Sequence, residues 1–177
     1  MPIIETVLGI LTLASGIALI LTITALITKQ RLARTWINFL NKHAIFIIFI
    51  ISLAATLGSL YFSDILGYEP CKLCWYQRIL MYPQVLLAGI AMMIKDKRIT
   101  TYTLWLSVIG GLIALNHYIL QITKVSLIPC SAVGYSASCS QYFTLQFGYI
   151  TIPMMALTAF LLIIVLSRMH KKINRRQ

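Results

Sequence analysis

Long runs without charge constrain this chain more than any other feature. Thr6–Thr28 carries no charge over 23 residues, and Ala44–Phe62 carries none over 19. Trp75–Ile94 holds one, Arg78, near its start, and Thr101–Ile122 holds none. About 20 apolar residues in a helix cross the hydrocarbon core of a bilayer. Lipid offers no water to the backbone, so each run must satisfy its own N–H and C=O groups as a helix. The last run, Val125–Ser167, is too long for one span. Pro129, Gly134 and a cluster of serines divide it, which predicts a loop over Thr123–Gln146 and a fifth span over Gly148–Ser167. The expected class is therefore an all-α membrane protein. Composition agrees: 59% of residues are hydrophobic, 11% are charged, and the mean hydropathy is +0.86. That is too little charge to cover a soluble surface.

The first run does not read as a signal peptide. It opens Met-Pro-Ile-Ile-Glu, has no cation before it, and is longer than an h-region. It is expected to stay as a membrane helix. The glycines in the spans, Gly89 and Gly110-Gly111, are read as points of close helix approach.

The net charge of +11 follows membrane topology. The segments 29–42, 95–98 and 168–177 hold 4, 3 and 5 of the 15 Lys and Arg; Lys72, Arg78 and Lys124 make up the rest. Cations concentrate in cytoplasmic connectors. This predicts a cytoplasmic C-terminus, an N-terminus outside, and both cysteine-bearing segments outside. Once the connectors are assigned, no basic face is left for nucleic acid, and none is expected as a partner. The segment around Trp36 reads as a partly amphipathic connector at the lipid surface.

The chemistry rests on four cysteines. Cys71-Lys-Leu-Cys74 is a C-x-x-C at the start of a span, preceded by Pro70. A helix start exposes free N–H groups and the positive end of the dipole, both of which stabilise a thiolate. Arg78 lies four residues after Cys74, one turn along the same face. A cation inside an apolar span faces a partner or a site, or else extends to the headgroups. Its spacing favours a site, and predicts a Cys74 thiolate held below the free value of about 8.5. Cys130 and Cys139 stand in a loop rich in Ser, Gly and Ala. They read either as a structural staple or as an exposed disulfide open to exchange. A zinc site fits poorly, because the nine-residue spacing is unlike a metal knuckle and His43 and His170 lie on the other face. No metal is expected. His117, in the fourth span, reads first as a structural histidine. Pro83 and Pro153 read as kinks within spans.

Taken together these motifs resemble a known family. Cys71-Lys-Leu-Cys74-Trp-Tyr-Gln-Arg78-Ile-Leu-Met-Tyr-Pro83, then Ile113-Ala-Leu-Asn-His-Tyr118, the loop pair, and Phe147-Gly-Tyr-Ile-Thr-Ile-Pro-Met-Met155 resemble the DsbB disulfide-bond formation proteins, closest to the BdbC-type branch. The resemblance covers roughly residues 44 to 167. It implies a four-helix redox bundle over 44–167, an extra N-terminal helix with a basic connector over 1–43, and a basic cytoplasmic tail over 168–177.

It also implies a chemistry in a bacterial cytoplasmic membrane that serves disulfide formation in exported proteins. The Cys130–Cys139 disulfide would oxidise a DsbA- or BdbD-like thioredoxin-fold partner, with Cys130 the sulfur attacked. The Cys71–Cys74 pair would reoxidise the loop through a transient Cys139–Cys71 link. Cys74 and Arg78 would meet a membrane quinone, ubiquinone or menaquinone, and His117 would lie near its end. The quinol would feed the respiratory chain. Two rivals remain at this point. One is a thiol reductant resembling vitamin K epoxide reductase, disfavoured because there the loop pair precedes the C-x-x-C. The other is a scaffold with static disulfides.

Overall fold

A computed structural model of the chain describes residues 2–28, 30–124, 138–140 and 142–174. Six α-helices follow in order: α1 (Pro2–Ile27), α2 (Arg31–Lys42), α3 (Ala44–Leu60), α4 (Lys72–Ile94), α5 (Ile99–Thr123) and α6 (Ile152–Asn174). All but α2 are long and apolar enough to cross a membrane. The architecture is the expected all-α membrane protein. The 12-residue α2 lies between α1 and α3 and buries Ala33 and Leu40 while Leu32 and Phe39 stay exposed.

The ends of the spans differ from expectation for local reasons. α3 runs on through a π-helical turn, Tyr61–Ile65, in which the Leu66 N–H donates to Tyr61 O at 3.1 Å. Wide turns of this kind often accompany functional sites. α4 begins at Lys72 rather than Trp75, because Cys71 caps it. α6 begins at Ile152, four residues past Gly148. Before it, Gln146 and Ile150 pair their backbones, with Phe147 (φ 52°) and Gly148 (φ 80°) left-handed in the turn between them. Pro153 is thus the second residue of α6. There its missing N–H has no intrahelical partner to lose, so it is no kink. Pro83 does lie inside α4. α6 continues past Ser167 to Asn174, so the basic tail starts as helix.

The core lies among α3, α4, α5 and α6, around Ile48, Met81, Ala88, Ala114, Phe160 and Ile163. Gly110 lets the fully buried Phe160 ring approach α5 directly: a Cβ there would stand 2.4 Å from Phe160 Cε1. Polar cross-links join the helices. Thr103 Oγ1 and Ser167 Oγ lie 3.1 Å apart, and Ser107 donates to Gln84 Oε1 at 3.1 Å. In lipid such bonds and small-residue contacts hold helices together where no hydrophobic force between them exists.

α1 stands at the edge. Ile17, Ile20 and Leu21 are exposed on its outer side. It packs on α6 and α2. Two hydrogen bonds pin its ends: Tyr68 donates to Glu5 Oε1 at 3.4 Å, and Trp36 Nε1–H donates to Thr22 Oγ1 at 3.3 Å.

Candidate redox site

The C-x-x-C forms the first turn of α4. Cys71 is the N-cap, with extended backbone (φ −71°, ψ 168°), and its sulfur accepts the Cys74 N–H at 3.4 Å. The two Sγ atoms lie 2.9 Å apart as free thiols. The donor at the helix start therefore serves Cys71 and not Cys74, the sulfur for which the sequence predicts it. Cys71 stands just before the span. Its thiol is pulled down to about 4, first by the hydrogen bond from the Cys74 thiol. Burial opposes this; the hydrogen bonds of His117 and of the Cys74 N–H add to it.

His117 comes from α5 and is buried. Its Nε2 lies 3.7 Å from Cys71 Sγ and 3.2 Å from the Cys139 carbonyl. The Gln77 amide Nε2 donates to His117 Nδ1 at 3.0 Å. That bond leaves the ring proton on Nε2, between the Cys71 sulfur and the Cys139 oxygen. The resemblance implies a place for His117 near the quinone; in the structure it stands between the two cysteine segments.

Cys139 is disulfide-bonded and only 2% exposed. Its expected partner, Cys130, lies outside the described residues. The exposed, unpacked setting expected for the pair does not hold at Cys139. The chain after it is tied to the end of α5: Lys124 Nζ donates to Ser140 O at 3.0 Å and sits 4.6 Å from the Tyr142 ring centre, and the Tyr142 hydroxyl donates to Gln121 O. Cys71 Sγ, Cys139 Sγ and a His117 ring nitrogen all lie within 4.8 Å of one another. Three such groups are also what a metal site gathers, but a sulfur held in a disulfide is not a thiolate ligand.

On its other side Cys74 borders a cavity of about 300 Å³. The walls are mostly apolar, with Ser59, Tyr68, Gln77, Arg78 and Tyr82 among the polar side chains. Arg78 donates through Nη2 to Ser59 O at 3.2 Å, and its guanidinium stacks 5.4 Å from the Trp75 ring centre. The Arg78 Nε–H is buried with no hydrogen-bond partner among the described residues. Cys74 and Arg78 thus share one wall, as their four-residue spacing requires. A second, small cavity of about 20 Å³ is bordered by Cys71, Cys74 and His117. Among the described cysteines, Cys74 is the one that touches both.

Sequence reasoning missed Gln77, Ser59, Tyr68 and the part of α1 that lines the large cavity. Gln77 carried a usable signal, a polar residue one turn from Cys74 in an apolar helix. Ser59 and α1 carried none, because their roles depend on packing between distant segments.

Comparison with known proteins accords with this geometry. The family described as disulfide bond formation protein DsbB matches residues 41–169. The chain is 46% identical to the probable disulfide formation protein C 1 of Bacillus anthracis, over 72% of this chain and 91% of that one. It is 48% identical to the disulfide bond formation protein C of Bacillus subtilis strain 168, over 66% of this chain and 83% of that one. No solved structure gives a significant match. α1 and nearly all of α2 precede the matched segment. With five apolar spans and a paired-cysteine site at a helix start, this multi-pass membrane oxidoreductase belongs to the DsbB family of disulfide bond formation proteins.

Proposed function

We propose that the chain is a quinone-coupled thiol oxidase that reoxidises a soluble thioredoxin-fold partner on the outer face of a bacterial cytoplasmic membrane. The partner's thiolate attacks Cys130, and Cys139 leaves. The partner's second thiolate then releases the partner as a disulfide, with Cys130 and Cys139 reduced. The Cys139 thiolate next attacks Cys71 of an oxidised Cys71–Cys74 pair, and Cys74 leaves as thiolate. Cys130 attacks Cys139, and Cys71 leaves. The loop disulfide is restored, and two electrons rest on Cys71 and Cys74.

The low thiol value at Cys71 supports this direction, since an acidic thiol is the better leaving group. His117 would hold the departing charge at Cys71 through Nε2–H, and Gln77 would hold the ring. Burial of Cys139 supports Cys130 as the sulfur that faces the partner. A quinone would supply a two-electron, two-proton sink. The residues fit one: the cavity has the size and apolar walls of a small-molecule site. The unpaired Arg78 N–H suits an acceptor oxygen. The basic connectors support the outward placement of all four cysteines.

The observation that carries the reading is the position of the C-x-x-C: Cys71 within 4.8 Å of Cys139, and Cys74 on the wall of the Arg78 cavity. Purified protein, a reduced thioredoxin-fold partner and a short-chain quinone should consume quinone and partner thiols in a ratio of one to two. Cys74→Ser should abolish turnover. Full turnover by that variant would refute the proposal.

A further inference from the structure

The family match leaves α1 outside it, yet α1 is part of the site. Leu8, Leu11, Thr12 and Ser15 line the large cavity. Their spacing of i, i+3, i+4 and i+7 is one face of a helix. The remaining walls come from α3, α4 and α6, among them Ser59, Arg78 and Phe160, and from the link before α4 and Phe143. Without α1 this side would open to lipid.

The way α1 is held points to the same use. Its first turn is fixed to the link before the C-x-x-C by the Glu5–Tyr68 hydrogen bond, and Tyr68 itself lines the cavity and stacks on Phe143 at 5.0 Å. Gly9 lets α1 approach the 146–150 turn: a Cβ there would lie 3.2 Å from Gln146 Cβ. A Cβ at Gly58 of α3 would meet a Leu8 methyl at 3.5 Å. Near the other end, Trp36 fixes Thr22. In contrast, a Cβ at Gly16, next to the lining face, would meet nothing within 4 Å. The helix is thus held close to its neighbours at the end that carries Leu8.

We infer that α1 is a binding wall for the quinone, and that Leu8, Leu11, Thr12 and Ser15 set how tightly this chain holds its acceptor. The inference rests on the quinone reading above. It gives the N-terminal helix, which lies outside the matched segment, a role: it would shield the bound ring from lipid.

Two experiments decide it. In the first, quinone KM is measured with the purified full chain, decyl-quinone and a reduced thioredoxin-fold partner. Ser15→Trp and Leu8→Trp should each raise quinone KM at least fivefold with the partner's KM unchanged. Ile20→Trp, on the lipid face, should leave both unchanged. Quinone KM within twofold of wild type for both cavity variants would overturn the inference. In the second, the unmodified chain is labelled with an azido-quinone and the peptides are sequenced, which removes any dependence on variant folding. Label on both the 8–15 stretch of α1 and on α4 is expected. Label on α4 alone overturns the role of α1 and leaves the quinone reading standing. Label on neither, with no quinone consumed by wild type, overturns both.

Discussion

Replacing His117 with Ala tests how the site makes Cys71 a leaving group. In the reduced protein the Cys71 sulfur accepts from the Cys74 thiol, from the Cys74 N–H at 3.4 Å and from His117 Nε2 at 3.7 Å, and its thiol sits at about 4. A depressed value means the thiolate is favoured, so the charge persists at every pH above it. Loss of this hydrogen-bond donor shifts the neighbouring thiol by on the order of 1–3 units, here upward. Taking about two units, the midpoint of the variant falls near 6, still below the free value of about 8.5 because the Cys74 donors remain. Each unit is about 1.4 kcal/mol, so the reduced pair loses about 2.7 kcal/mol near pH 7. For a two-electron couple that makes Cys71–Cys74 more reducing by about 60 mV.

The assay is the rate of iodoacetamide labelling of the Cys71 peptide against pH, read by mass spectrometry. Wild type should rise through a midpoint near 4 and then stay flat. The variant should rise about two units later. Its plateau should stand several-fold higher, since a less acidic thiolate is intrinsically more nucleophilic, with a Brønsted coefficient of about 0.4–0.5. Transfer from the loop pair should slow at the same time. A wild-type midpoint within a unit of 8.5, or one that His117→Ala leaves in place, would refute the reasoning.

Arg78→Gln should raise quinone KM about 10- to 100-fold, the worth of a charge-assisted hydrogen bond of about 1.5–3 kcal/mol, with the partner's KM unchanged in steady-state assays. Gly110→Ala should destabilise the bundle by about 1–3 kcal/mol, because the added methyl falls on the Phe160 ring; detergent thermal melts should show the loss, and Phe160→Leu in the same chain should recover part of it. An unchanged melting temperature for Gly110→Ala would contradict the close packing of α5 on α6.

Much of this molecule is legible in its sequence. The spans emerge from charge-free length, because lipid enforces the same rule at every residue. Cys74 and Arg78 share a wall because they are four residues apart on one helix, a relation that needs no tertiary structure. What escapes the sequence is what depends on two segments meeting. The helix start and the spacing of Arg78 both point to Cys74, but the N-cap geometry gives the N–H to Cys71. The loop composition suggested exposure at Cys139, but Lys124 and Tyr142 draw the chain down over α5 and bury it. His117 lies 46 residues from Cys71 in sequence, and nothing local marks it as a neighbour.

The place of Cys74 between two cavities bears on traffic as well as chemistry. Cys71, His117 and the Cys139 segment lie on one side of it, and the Arg78 cavity on the other. On the proposed function, a protein docking from the aqueous side and an amphiphile arriving through the bilayer would not contend for the same volume. Each half of the proposed cycle could then be loaded while the other is still occupied, and what would pass between them is the electron pair held by Cys71 and Cys74. On the proposed cycle a quinone in the Arg78 cavity would meet Cys74 and not Cys139, which does not line that cavity, so the Cys71–Cys74 pair would be the path for the electrons.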